Sequence, residues 1–280
     1  MAQLTVVRDK AEMSETGAER ITSLIEGAIV IRNAAAISLT GGHTPDLLYE
    51  YLADRDRLWR ARIDWARVHL FWSDERNVPP DHPESNFGMA NRMLIQHVPI
   101  PASHVHRMRG ERPAVDAGRE YDVMLRARRD EIAGPLFDVT LLGIGVDAHI
   151  ASIFPDSPLL LRGPTGPGGA DLYSSGADPL AAPKPRSGEG GSGPRALAAG
   201  IWVPKLNQWR ITQTPPALLD STAIIVMAVG STKADAIAAA IGGELNVSRY
   251  PAQLLRAADE RVEWIVDGAA ARSVSRRPMV

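Results

Sequence analysis

Residues 35–53 read AAISLTGGHTPDLLYEYLA, a short apolar run followed by a glycine turn and a second apolar segment. The run Ala35 to Leu39 predicts a buried strand, and Asp46 to Ala53 predicts a helix with Pro45 in its first turn. A strand, a tight loop and a helix in this order are typical of a parallel sheet, because parallel strands need crossover connections. The stretch therefore predicts an α/β fold.

The same alternation of strand and helix extends in both directions from this stretch. Further strands are predicted at residues 4–8, 68–72, 137–142, 223–229 and 262–266, and further helices at 12–31, 86–95, 112–132, 232–241 and the C-terminus. A polar loop is predicted at residues 73–85, before the helix that begins at residue 86. We therefore expect a three-layer, Rossmann-like fold, with a mainly parallel sheet and helices on both faces.

One segment departs from this alternation. Residues 163–195 are crowded with glycine and proline and show no sustained apolar period. We expect one domain over residues 1–280, with this segment as a flexible surface insertion. Because it lies between two candidate site regions, the alternative is a lid that closes over the substrate.

Composition excludes several classes of function. The 31 Lys and Arg residues nearly balance the 33 Asp and Glu residues, so no overall basic field favours nucleic acid or an anionic membrane. The chain has no cysteine, which excludes disulfides, thiol nucleophiles and cysteine metal sites. It also lacks a long apolar run and a signal-peptide pattern, so we expect a cytoplasmic protein.

Two candidate site segments follow predicted strands at the carboxyl edge of the sheet, where ligands bind in such folds. The loop Thr40 to Pro45 ends one strand and begins a helix, so its backbone N–H groups suit a phosphate; the alternative is a simple turn capped by Thr44. The next strand runs into Ser73 to Asn77, where Arg76 suits phosphate and Asp74 is able to orient a base. A solvated charged turn is the alternative there.

The most informative segment is FDVTLLGIGVDAHIASIFP, residues 137–155. His149 follows a buried strand in a loop with two glycines and Asp147, which is where a general base would be placed and oriented. Among the other histidines, His43 is a candidate ligand contact. The spacing of the histidines does not suggest zinc. Further along, Lys205 precedes a short strand that contains Arg210, and Lys233 opens a helix, where its charge opposes the helix dipole unless an anion binds.

With these segments in view, the sequence resembles the 6-phosphogluconolactonase family, within the larger group of sugar-phosphate isomerases and deaminases. The resemblance runs nearly from end to end and rests on segments that occur in the family's order. They are residues 39–45, 73–79, 85–87, 142–147, 149, 151–155, 210–212, 230 and 233–234. The family usually has Gly, Thr and Leu where this chain has Ala148, Ile150 and Gln213.

The resemblance implies hydrolysis of the lactone of 6-phosphogluconate, in the oxidative pentose phosphate pathway, without a metal or an organic cofactor. We assign His149 as the base, with Asp147 or Asp74 orienting its imidazole. Backbone donors near Gly42 or Gly145 are candidates for the oxyanion site. The assigned phosphate contacts are Gly41, Gly42, Thr44, Arg76, Arg210 and Lys233, with Lys205 as an additional candidate.

Two other functions compete with this assignment. An aminosugar-phosphate deaminase or isomerase has a related loop, but the glutamate of that loop corresponds to Phe154 here. A sensor that binds a sugar phosphate without catalysis is the other, although such proteins more often carry a DNA-binding segment. The expected partner is a small sugar-phosphate lactone, with no nucleic acid and no membrane, and the expected state is a monomer or a weak homo-oligomer.

Overall fold

A computed structural model describes residues 2–160 and 196–274. The predicted insertion at 163–195 lies outside these residues. The described part contains nine strands, which are β1 (Gln3–Val7), β2 (Ala35–Leu39), β3 (Val68–Trp72), β4 (Asp74–Arg76), β5 (Phe137–Gly143), β6 (Ala198–Val203), β7 (Gln208–Gln213), β8 (Ser221–Ala228) and β9 (Val262–Asp267). Its eight α-helices are α1 (Lys10–Arg32), α2 (Asp46–Ala53), α3 (Leu58–Arg62), α4 (Asn86–Met93), α5 (Ala114–Glu131), α6 (Pro215–Leu219), α7 (Ala234–Gly242) and α8 (Gly268–Ala271).

Six strands form one parallel sheet in the order β1-β9-β8-β5-β2-β3. From β2 the chain crosses to β3 on one side, and from β5 it goes on to β8 and β9 on the other. The neighbours β2 and β5 therefore mark the point where the strand order reverses. Loops diverge beyond the carboxyl ends of such a strand pair and leave a crevice between them.

Helices cover both faces of this sheet. On one face, α1 and α2 bury side chains such as Ile21 and Leu48 against Leu39 and Leu141. On the other face, α7 packs on β8 and β9, and α5 packs near β3 and β5. These three layers bury the apolar runs that the sequence shows, and the predicted α/β fold class is confirmed.

A second, antiparallel sheet has the order β4-β7-β6 and was not predicted. The prediction of a loop throughout residues 73–85 was wrong, because Asp74–Arg76 pairs with Arg210–Thr212 as β4. Three polar residues carry no strand pattern, so only the distant partner strand makes this segment extended. The small sheet places β4 and β7 beside the carboxyl edge of the large one, since the Gln213 N–H donates to the Ser73 carbonyl oxygen at 2.8 Å.

Candidate active site

The loop after β5 holds a histidine and a carboxylate in direct contact. The Nδ1 atom of His149 lies 2.6 Å from Oδ1 of Asp147. Partial burial opposes ionisation of Asp147, but hydrogen bonds from His149 and Lys205 outweigh it and hold the pKa of Asp147 below its ordinary range. An ionised carboxylate accepts a hydrogen bond, so Nδ1 carries the proton and Nε2 is left as the basic nitrogen.

A close turn brings the imidazole to this position. The Gly145 N–H donates to the His149 carbonyl oxygen at 2.9 Å, and the Ala148 N–H donates to the Gly145 carbonyl oxygen at 3.0 Å. A Cβ atom on residue 145 would lie 1.9 Å from Nδ1 of His149 and 2.7 Å from Oδ1 of Asp147. Only glycine leaves room for the histidine and aspartate pair here.

The same turn contains an alanine in a glycine-like conformation. Ala148 is fully buried and has φ 62°. A residue with a Cβ atom is strained in this left-handed conformation by about 1 to 2 kcal/mol, so Ala148 is strained. The loop therefore keeps a positive φ without the glycine that is usual at this place in the family.

Phe154 covers one face of the His149 imidazole. Its ring stacks on the His149 imidazole with centroids 4.1 Å apart. The neighbouring Ile150 is buried and belongs to the apolar cluster beneath the loop. The imidazole thus lies on an apolar support, and Asp147 is the carboxylate that contacts it.

Asp74 lies close to this loop but does not hydrogen-bond to His149. Its Oδ2 accepts from the Ser152 hydroxyl at 2.6 Å, and its Oδ1 accepts from Asn86 Nδ2 at 3.1 Å. Two carboxylates were proposed to orient the imidazole. Asp147 contacts it, whereas Asp74 contacts Ser152 instead. Asp74 instead ties β4 to the loop after β5.

Glu75, next to it, anchors α4. Its two carboxylate oxygens accept from the Ser85 hydroxyl and from the backbone N–H groups of Arg76, Asn86 and Phe87 at 2.7 to 3.0 Å. Burial raises the pKa of Glu75 against the effect of these hydrogen bonds. Because all of these donors belong to the protein itself, Glu75 fixes the start of the helix. The alternative of a solvated charged turn was wrong for Asp74 and Glu75, which are buried.

The glycine loop after β2 packs against α4. A Cβ atom on residue 41 would lie 1.7 Å from Oδ1 of Asn86, so Gly41 admits that side chain. Gly42 has φ 89°, and its backbone N–H has no partner among the described residues. The alternative in which Thr44 caps the turn was wrong, since Pro45 occupies the N-cap position of α2 and no side chain caps it.

Three partly buried cations lie in the segments around the crevice: Arg76 and Arg210 on the small sheet, and Lys233 in the turn after β8. Arg76 and Arg210 face each other across β4 and β7 as register partners. Within the described residues, the buried Nε of Arg76 has no hydrogen-bond partner, whereas its Nη1 donates to the Glu84 carbonyl oxygen. Arg210 makes a 3.4 Å contact to the Trp209 carbonyl oxygen. Burial lowers the pKa values of Arg210 and Lys233. Partly buried cations with N–H groups still open are suited to an anionic ligand.

Lys205 does not join this cation group. Its Nζ lies 2.5 Å from Oδ2 of Asp147, so it contacts the proposed catalytic pair. Sequence reasoning also missed Asn86 and Ser152, which connect Asp74 to the two loops. Both residues lie in segments that carry the family resemblance, and this was the only sequence signal for them.

No group of three or more histidine, aspartate or glutamate side chains within residues 2–160 and 196–274 is placed to hold a metal ion. Nor does any helix in that part of the chain combine the length and the apolar content that crossing a membrane requires.

The sequence profile described as glucosamine-6-phosphate isomerases/6-phosphogluconolactonase matches residues 8–168 and 185–264. The chain belongs to this family. A family member named 6-phosphogluconolactonase from Mycobacterium tuberculosis is 33% identical over 278 residues, covering 96% of this chain and 97% of that protein. The crystal structure of 6-phosphogluconolactonase from Thermotoga maritima has a TM-score of 0.70 at 25% identity and covers 95% of this chain and 100% of that one.

The same family fold also serves another reaction class. A monomeric glucosamine-6-phosphate deaminase matches with a TM-score of 0.70 at 18% identity, covering 97% of this chain and 99% of that one. A similarity at this level shows the fold alone. The choice between a lactonase and a deaminase therefore depends on the side chains of the candidate site and not on the fold.

Proposed function

We propose that this protein is a 6-phosphogluconolactonase, which opens 6-phosphogluconolactone to 6-phosphogluconate by water attack. The observation that carries the proposal is the contact between His149 and Asp147 beside a group of partly buried cations, in the crevice where β2 and β5 diverge. The names of the relatives with about 30% identity over nearly the whole chain support the same reaction.

His149 performs both proton transfers in this mechanism. Its free Nε2 takes a proton from water as the water oxygen attacks the lactone carbonyl carbon. The tetrahedral intermediate then collapses with cleavage of the bond between that carbon and the ring oxygen, and the imidazolium returns the proton to the departing oxygen. Asp147 holds the Nδ1–H tautomer and stabilises the imidazolium while the intermediate exists.

The oxyanion needs donors that the protein does not already use. The Gly145 N–H is engaged by the His149 carbonyl oxygen, which argues against that group. The Gly42 N–H has no partner within the described residues and lies on the neighbouring loop of the crevice. We therefore place the oxyanion on the Gly42 side.

The substrate phosphate binds to Arg76, Arg210 and Lys233. The guanidinium groups lie on adjacent strands, so together they offer several N–H donors to phosphate oxygens. In the loop Gly41 to Thr44, the backbone N–H groups other than that of Gly42 are left to donate to the phosphate at the start of α2. Each charge-assisted hydrogen bond of this kind stabilises a complex by about 1.5 to 3 kcal/mol.

Phe154 disfavours the deaminase. The related deaminase loop has a glutamate at the corresponding place, and a phenyl ring stacked on His149 is unable to transfer a proton. The sensor remains the non-catalytic alternative, and retention of the Asp147 and His149 contact argues against it. We also propose that the protein acts in the cytoplasm, without a cofactor, as a monomer or weak homo-oligomer. Its near-neutral charge favours a function without nucleic acid.

The decisive experiment follows disappearance of 6-phosphogluconolactone and of the unphosphorylated gluconolactone with the parent, His149→Asn and Arg210→Met. We expect His149→Asn to lower kcat at least about 100-fold with little change in affinity for 6-phosphogluconate. We expect Arg210→Met to reduce the preference for the phosphorylated lactone at least about 10-fold. Ammonia release from glucosamine 6-phosphate at a comparable rate would contradict the proposal.

A further inference from the structure

The hairpin between β6 and β7 places a charged side chain against the loop after β5 that holds Asp147 and His149. A single turn of 3₁₀ helix, Pro204–Leu206, joins the two strands, and Asn207 closes it with φ 50°. Lys205 lies in the middle of this turn, and its Nζ is 2.5 Å from Oδ2 of Asp147. The carboxylate thus has one oxygen on the histidine and the other on a lysine from a different sheet.

Other groups around the pair complete the electrostatic environment. Lys233, in the turn after β8, is close enough to interact with Asp147 through its charge. Phe154 lies against His149 and brings no charge, and within the described residues the hydrogen bond of Asp74 to this loop comes from Ser152. Lys205 is therefore the cation in direct contact with Asp147, and Lys233 is a second cation that remains when Lys205 is replaced.

We infer that Lys205 is a positioning residue that sets the basicity of His149 through Asp147. This inference rests on the proposed function only where activity is concerned, since the charge effect exists in the free protein. An ionised Asp147 stabilises the imidazolium form of His149. The Lys205 ammonium offsets part of that negative charge, so it favours neutral imidazole, which is the form that accepts the proton from water. It also holds Oδ2, which keeps Oδ1 directed at Nδ1.

The sign of the effect follows from this arrangement. Without the ammonium, Asp147 stabilises the imidazolium more strongly, and the His149 imidazole stays protonated to a higher pH. Because the Lys205 side chain is 58% exposed, solvent and salt screen its charge. We therefore expect an upward movement of the His149 titration midpoint by about half a pH unit in Lys205→Met, in a buffer of low ionic strength.

The experiment measures the histidine titration in the free protein by NMR, with the His149 signal assigned from its loss in His149→Asn. The variants are Lys205→Met, Lys205→Arg and Lys10→Met. Lys10 forms an ion pair of the same 2.5 Å length with Asp46, so Lys10→Met removes an equal charge without touching Asp147. We expect the midpoint to rise in Lys205→Met, to stay near that of the parent in Lys205→Arg, and to stay unchanged in Lys10→Met.

Activity gives the second readout. The acid limb of the pH profile of kcat/KM for 6-phosphogluconolactone should move to higher pH in Lys205→Met by the same amount as the NMR midpoint. An unchanged His149 midpoint would overturn the inference, and a raised KM for the phosphorylated lactone with an unchanged midpoint would make Lys205 a phosphate contact. If Lys205→Met fails to fold, Lys205→Gln replaces it. A shifted midpoint in a protein without lactonase activity would uphold the charge effect and refute the proposed function.

Discussion

Histidine side chains lie at both ends of the parallel strands, in different surroundings. Beyond the carboxyl end of β5, His149 contacts the carboxylate of Asp147 at 2.6 Å. Near the amino end of β3, His69 stacks on His104 with centroids 3.9 Å apart, and its Nδ1 lies 3.1 Å from Nε2 of His106. His149 has an anion beside it that stabilises an imidazolium, whereas the charged neighbours of His69 within the described residues are other histidines and an arginine.

The neighbours of a histidine decide whether it is suited to proton transfer. Burial, together with the charges of neighbouring histidines and Arg128, lowers the pKa values of His69 and His106 to about 4. These rings are neutral in the folded protein at physiological pH and act as packing groups. A histidine becomes a candidate base when a carboxylate fixes its tautomer and leaves the second nitrogen open, as at His149.

Loss of the space beside His149 should give the largest effect. We expect Gly145→Ala to lower kcat at least about 100-fold, because its Cβ atom would lie 1.9 Å from Nδ1 of His149 and displace the ring from Asp147. Steady-state kinetics and a thermal melt would show a folded but inactive protein. Gly143→Ala is the matched control, since a Cβ atom there meets nothing within 4 Å, and it should stay within about three-fold of the parent. Equal losses in the two variants would refute this account.

The second prediction separates the two histidine groups by pH. With pKa values near 4 in the folded state and near 6.5 in the unfolded state, His69 and His106 bind fewer protons when folded. Their contribution to the free energy of unfolding is complete above pH 6.5 and is lost as the pH falls from 6.5 towards 4. Thermal melts from pH 7 to pH 4.5 should show a shallower fall of Tm for His69→Gln than for the parent.

The same variant should keep the lactonase activity of the parent within about two-fold at pH 7.5, because His69 lies at the edge away from the crevice. A Tm that falls as steeply as in the parent would mean that His69 binds as many protons in the folded protein as in the unfolded chain. A large loss of activity would mean that the two edges of the sheet are coupled.

The smallest effect concerns the strain beside His149. We expect Ala148→Gly to raise the free energy of unfolding by about 1 kcal/mol, through relief of the positive φ at residue 148, with activity preserved. Ala238→Gly in α7 is the opposite control, since glycine in a helix lowers stability by about 1 kcal/mol. Chemical denaturation measures both. If Ala148→Gly abolished activity, the alanine itself would be needed to hold the loop.

The sequence predicted the large sheet because each of its strands is apolar and long enough to carry its own pattern. Val68–Trp72 and Ala35–Leu39 match their predicted bounds, and α1 begins two residues earlier than its periodicity indicates. The small sheet was missed because its evidence is not local. Asp74–Arg76 is polar throughout, and Ala198–Val203 follows directly on the glycine- and proline-rich segment, where no pattern precedes it.

The candidate site was predicted where a residue type and a glycine turn occur together, as at Asp147 and His149. The choice between Asp74 and Asp147 needed distances, since both follow strands at the same edge. The clustering of His69, His104 and His106 was also beyond the sequence, because residues 104–106 reach β3 through a single bridge between Leu70 and Val105. An isolated bridge of this kind leaves no periodic pattern in the sequence.

The pairing of β4 with β7 has a consequence for the order in which the chain folds. The Thr212 hydroxyl lies 3.4 Å from the Ser73 carbonyl oxygen, across a sequence separation of 139 residues. Closing so long a loop is entropically unfavourable until the intervening elements are compact, so non-local pairs of this kind form late. During synthesis on a ribosome, β2 and β3 emerge with their helices long before β7 exists. Arg210 is synthesised long after Arg76, so the proposed anion site is expected to be among the last parts of the molecule to form.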